Sequence, residues 1–199
     1  IRNSGSTPAT ARANSDLQFL GLQIEGNAEN NARQTLALDQ GVNLIGVNEI
    51  RLGPHSALTI AEGIVSSSRW IDISRTASLR GHGLITGSVY NDGSLVLTGN
   101  KQPVLRIYGD YTQSADGTLN LDFSGTTKST LVVNGKVALA GTLGVTITSD
   151  FKPARNNPLT ILTGSITGNF DNLNNTVVAS DGSRFSISYS DSVVTLNVN

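Results

Sequence analysis

The chain contains no cysteine, no methionine and a single tryptophan, and aromatic residues make up only 5% of its 199 positions. Without thiols, disulfide scaffolds and thiolate metal centres are excluded. Charge is scarce as well: Asp, Glu, Lys and Arg total 15%, with a net charge of −1. A near-neutral chain of this kind carries no electrostatic footprint for nucleic acid or for an anionic membrane. No apolar run approaches the roughly 20 residues that a membrane helix needs, so no membrane insertion by this segment is expected. The abundant residues are small. Glycine occurs 21 times beside many Ser, Thr and Asn, a mixture poor in helix formers and rich in turn formers and strand-compatible residues. The composition predicts an all-β chain. Its start at Ile1 and its lack of Met read as a piece of a larger or processed polypeptide.

Residues 1–15 lack periodicity and read as a linker or arm. From Asp16 onward, short alternating stretches recur, among them "LQFLGLQI", "QTLALD", "RWIDI", "VLRIYG", "GTLNLDF" and "TLGVTI", each bounded by Gly, Asn, Asp or Pro. Leu95, Leu105, Leu119, Leu131 and Leu143 each open such a stretch, at steps of 10, 14, 12 and 12. Turn signals fall between them at Asn91-Asp92-Gly93, Ala115-Asp116-Gly117, Asn134-Gly135 and Ala140-Gly141. Short strands at even spacing without helices predict a β-solenoid, in which each rung buries its apolar side on the next. A β-sandwich also spaces strands at roughly 8–12 residues and is the alternative. The shortage of large rings favours the solenoid.

Candidate chemistry is sparse. Asp110, Asp116 and Asp122 fall at even spacing, but Asp116 sits in a turn and Asp122 alternates outward between Leu121 and Phe123. They read as turn and solvent-facing acids, with a surface calcium site as the alternative. No other cofactor, no metal ligand set and no catalytic residue is assigned. His55 and His82 lie in Gly- or Pro-marked turns and read as solvated, and no nucleophile elbow, zinc-binding helix or phosphate loop is present. The chain reads as non-enzymatic. A set of outward-phase rings is more suggestive: Trp70 and Asp72 alternate with Ile71 and Ile73, Arg106 and Tyr108 alternate with Leu105 and Ile107, and Tyr90 follows Val89. Trp70, Tyr90 and Tyr108 recur at intervals close to one solenoid coil. If the spacings are coil periods, Trp70, Asp72, Tyr90, Arg106 and Tyr108, with Arg69 beside them, form one strip that stacks on and hydrogen-bonds a linear glycan. Otherwise the rings pack against a loop, the arm or a neighbouring domain. Phe151, Phe170, Phe185 and Tyr189 cluster in the last quarter, where large rings and the loop 152–158 are expected to plug the end of the solenoid.

The blocks Gly109-Asp110-Tyr111-Thr112-Gln113, Leu131-Val132-Val133-Asn134-Gly135 and Ile161-Leu162-Thr163…Gly168-Asn169-Phe170 carry a resemblance. Across residues 79–199 the chain resembles the C-terminal passenger region of autotransporter-type secreted bacterial proteins. The resemblance implies a right-handed parallel β-helix with a C-terminal, autochaperone-like cap. With it come a secreted or cell-surface bacterial location and a role as stalk, scaffold or adhesive surface of a larger protein. The expected layout is solenoid rungs over 16–125 and terminal rungs with the cap over 126–199. Expected partners are the rest of the parent polypeptide and a polysaccharide or host-surface glycan. The rival expectation is a carbohydrate-binding module from a secreted polysaccharide-degrading enzyme.

Overall fold

A strand that alternates apolar and polar residues must cover one side, and a single coil of short strands is too thin to do this alone. In the computed structural model of the chain, coil lies on coil in a β-solenoid of about six turns. The structure describes all residues except 3, 47, 100–102, 126, 149–150, 153 and 155–156. The boundary expected at Thr126 and the middle of the 152–158 loop therefore lie outside the described residues.

The solenoid has three faces of parallel strands. The first stacks Ala9–Ala13, Gln34–Leu38, the beginnings of Ser56–Ile73 and Ser78–Asn91, then Ser94–Leu97, Thr118–Ser124 and Thr142–Ile147. The second begins with Leu17–Phe19 and Leu44–Gly46 and continues through Val104–Tyr108. The third begins with Leu22–Ile24 and Ile50–Leu52 and continues through Tyr111–Gln113. Ser56–Ile73 and Ser78–Asn91 each run around all three faces, and their corners show as register shifts after Ala61 and Ser66.

In-register stacking turns the sequence alternation into columns. Leu36, Leu58, Leu79, Leu95, Leu119 and Leu143 oppose one another on the first face and are all buried. Each buried leucine contributes about 1.5–3 kcal/mol. Leu95 and Leu119 are one coil apart on this face, whereas Leu105 and Leu131 are one coil apart on the second. The leucine rhythm in the sequence thus counts half-coils.

The N-terminal end departs from the expected layout. The expected arm over 1–15 contains Ala9–Ala13, which is already a strand of the first coil, and Arg2 bridges to Glu25 in parallel. The strand is hard to see in the sequence because "ATARA" buries only Ala13 firmly, so its alternation is weak. The coils continue past residue 126 to Leu159–Gly168, and the cap proper follows. There the pairing turns antiparallel through Thr176–Val178, Arg184–Tyr189 and Val193–Val198, the last of which also pairs with Leu159–Gly168. Phe170 and Phe185 are buried in this end, and the Phe170 N–H donates to the Tyr189 hydroxyl at 3.1 Å. Phe151 packs instead against Phe123, with ring centroids 5.0 Å apart.

One corner of the core is polar. The inward column Ile24–Leu52–Ile73 on the third face continues into Asn91 and Gln113, both buried. The buried Tyr111 hydroxyl donates to Gln113 Oε1 at 2.7 Å and accepts from Asn91 Nδ2 at 3.1 Å. Asn91 also donates to the Thr118 carbonyl, and Gln113 Nε2 to the carbonyls of Gly117, Ala140 and Thr142 at 2.8–3.2 Å. The node ties three successive coils together at their turns. Burial raises the Tyr111 phenol well above its ordinary range, so it remains the protonated donor. Around the node the backbones touch: a Cβ at Gly117 would lie 2.2 Å from the Asn91 carbonyl oxygen, which reserves the position for glycine. The "GDYTQSADGT" stretch is therefore a clamp between coils. Tyr111→Phe should cost about 1–3 kcal/mol in urea unfolding, and Gln113→Leu at least as much because it strands buried carbonyls. Unchanged midpoints for both would show that the node contributes nothing.

Candidate functional site

Outward residues become neighbours only through the coil register. On the third face Asp72 lies in register with Arg51 on one side and Tyr90 on the other, and Trp70 lies beside Ser88. Trp70 and Tyr90 are thus diagonal neighbours, about 8 Å apart by strand spacing and rise. Arg51 Nε approaches Asp72 Oδ2 at 3.4 Å, and the Arg69 guanidinium lies 5.5 Å from the Trp70 ring centre. Tyr90 is 48% exposed, while Trp70 is half-buried. An indole, a phenol, a carboxylate and two guanidiniums share one flat patch.

Arg106 and Tyr108 are elsewhere. They lie on the second face, in register with Leu84 and Thr86, and Tyr108 is 54% exposed. The single strip expected from the sequence does not form, because the coils differ in length. Tyr90 is in register with Asp72, so the interval from Trp70 to Tyr90 overshoots one coil by two positions. Tyr90 then opposes Thr112, which makes the next coil longer. The interval from Tyr90 to Tyr108 falls short of that coil and leaves Tyr108 before the Gly109–Asp110 corner. Arg51, absent from the expected set, completes the patch. Alternation in "NEIRL" already turns it outward, but only the register places it under Asp72.

The three aspartates separate as well. Asp110 brackets one corner, its N–H donating to Ser88 Oγ at 3.1 Å and its Oδ1 accepting from the Lys136 N–H at 2.8 Å. Asp116 sits in a turn at another corner and pairs with Arg75. Asp122 points outward on the first face beside Thr146. Among the described residues, no three His, Asp or Glu side chains come close enough to hold a metal ion. His82 is not solvated as expected: it is mostly buried, with Nδ1 3.0 Å from the Thr98 carbonyl and Nε2 3.5 Å from Glu62. A concavity of about 460 Å³ at the N-terminal end is an open cleft that contains the Arg2–Glu25 pair.

Asp72 is the titrating member of the patch. Desolvation, opposed by Arg51 and reinforced by Asp92 and Glu49, raises its carboxyl above the ordinary value. The folded chain then holds this proton more tightly than the unfolded chain, so the Asp72 contribution to stability falls as pH rises through the interval between the two values. Relative to Asp72→Asn, the wild type should lose stability as pH is raised from below the ordinary aspartate range to neutrality. A difference that stays flat or grows with pH would contradict this assignment.

No helix among the described residues is long and apolar enough to cross a membrane. Comparison with protein-family models, with curated proteins and with solved structures gives no match to this chain.

Proposed function

We propose that the chain is a non-catalytic β-solenoid module of a larger secreted or cell-surface bacterial protein, serving as a stalk, scaffold or adhesive surface. The main support is where its buried polar groups go. Asn91, Tyr111 and Gln113 hold one another and backbone carbonyls of adjacent coils, and Ser129 Oγ donates to the carbonyls of Leu97 and Asp122. These groups lock layers together and do not converge on a cleft. The C-terminal end is sealed by antiparallel pairing of a different kind, which gives the column a defined terminus from which layers can add. The resemblance to autotransporter passengers supports the same reading, with the sealed end seeding folding outside the cytoplasm. Deleting residues 169–199 should abolish the cooperative unfolding transition and increase binding of a dye for exposed apolar surface. A shortened chain that melts like the full one would remove the seeding role.

A second reading, a carbohydrate-binding module, is favoured by the adjacency of Trp70, Asp72, Tyr90 and Arg51 on the third face. Rings take sugar faces while the charged groups bond hydroxyls. Trp70→Ala and Tyr90→Ala should then weaken retention on a polysaccharide affinity gel without moving the melting temperature, whereas Arg106→Ala and Tyr108→Ala should leave the same retention unchanged. Equal loss from both faces, or no retention on neutral and acidic gels, would end this reading.

A further inference from the structure

The turns between the third and first faces are unequal. Ile73, Asn91 and Gln113 are in register, as are Ser78, Ser94 and Thr118. The chain therefore takes five steps from Ile73 to Ser78, three from Asn91 to Ser94 and again five from Gln113 to Thr118. The middle turn is two residues shorter than those on either side, which leaves a recess of about 320 Å³. Arg75 on one long turn pairs with Asp116 on the other, across the layer between them. The recess is lined further by Arg33, Arg80, Ser78 and Asp92. Arg33 Nη1 is held by Ser78 Oγ at 2.9 Å. Arg80 points outward from the first face and has no ion pair or side-chain hydrogen bond among the described residues. The N–H of Gly93, another lining residue, likewise meets no described acceptor.

The chain itself displays what such a recess accepts. A second short turn lies two coils on, where Ala138 opposes Thr112 and Thr142 opposes Thr118. It is occupied: Asp171 Oδ2 accepts the Gly141 N–H at 2.7 Å, and the Asp171 N–H donates back to the Gly141 carbonyl. One short turn thus holds an internal carboxylate, and the other stands open beside guanidinium groups.

We propose that the recess over Asp92–Gly93 binds an anionic substituent, carboxylate or sulfate, of an acidic polysaccharide. Arg80 is the charge partner and the Gly93 N–H a second donor. Guanidinium groups match the planar carboxylate and the sulfate oxygens through charge-assisted bonds. Asp92 and Asp116, also in the lining, accept hydrogen bonds from sugar hydroxyls. The exposed Arg75–Asp116 pair contributes little in water, so it can open to admit a chain. The site is independent of the third-face patch.

The test is calorimetric titration of the full chain at low salt with tetragalacturonate, with a heparin-type sulfated tetrasaccharide and with maltotetraose. One or both acidic probes should bind and the neutral one should not; which acidic probe binds identifies the substituent. Arg80→Gln should weaken binding at least about tenfold, and Trp70→Ala should leave it unchanged. Inserting Ser-Ala between Asp92 and Gly93 restores the five-step turn of the neighbouring layers and should remove binding while the far-ultraviolet circular dichroism stays as in the wild type. Should that insertion unfold the chain, the Arg80→Gln titration alone decides. The proposal is overturned by equal binding of maltotetraose, by no binding of either acidic probe at millimolar concentration, or by undiminished binding to Arg80→Gln.

Discussion

Every feature of this molecule depends on a coil having its apolar side covered by the next coil. The alternating strands are too short and too narrow to form a core in isolation, and parallel stacking supplies the missing wall. Register follows from the same requirement, because a one-residue slip would turn a whole column outward. The column of leucines from Leu36 to Leu143 is the direct product of that constraint. So is the change to antiparallel pairing after Gly168, which ends the repetition and covers the last open layer with Phe170 and Phe185.

Within this frame the coils are unequal, and the inequality decides which outward residues meet. A column of inward side chains tolerates coils of different length as long as the extra residues are placed at corners. Outward chemistry is then set by counting. Tyr90 sits opposite Asp72 and only diagonally from Trp70 because the coil between them is a short one on the third face. The recess beside Arg80 exists because one turn is short. The Asn91–Tyr111–Gln113 node lies at the same corner, and Gln113 holds the carbonyls of the turns above it. The polar node thus adjoins the recess beside Arg80.

The sequence made the class of fold and the inward phase of most strands legible. Alternation in "RWIDI" and "VLRIYG" placed Ile71, Ile73, Leu105 and Ile107 inside, and all four are buried. Turn chemistry located the corners at Asn91-Asp92-Gly93 and Ala115-Asp116-Gly117. What the sequence withheld was lateral order. Period two assigns a residue to a side of its own strand, while its neighbours across strands depend on the residues in each corner, and a spacing close to one coil does not fix that sum. Tyr108 and Arg106 were therefore grouped with a face they do not share. Weak alternation in "ATARA" hid the first coil for a related reason, since small side chains give little contrast between inside and outside. The polar node was present as the residues of the Gly-Asp-Tyr-Thr-Gln block, but nothing local distinguishes a buried Gln from an exposed one until its acceptors arrive with the turn of the next coil.

The most direct test of layer-on-layer stacking uses the absence of native cysteine. Thr118 and Thr142 are in register on adjacent strands, their hydroxyls in hydrogen-bond contact, and the strand spacing of about 4.8 Å puts their Cα atoms within the range a disulfide spans. The Thr118→Cys/Thr142→Cys chain should close its disulfide under mild oxidation without loss of circular dichroism, while Thr118→Cys/Thr130→Cys, half a coil apart on different faces, should stay reduced. Ready closure of the second pair and failure of the first would indicate hairpins folded at the interval of the leucine rhythm and would contradict the solenoid.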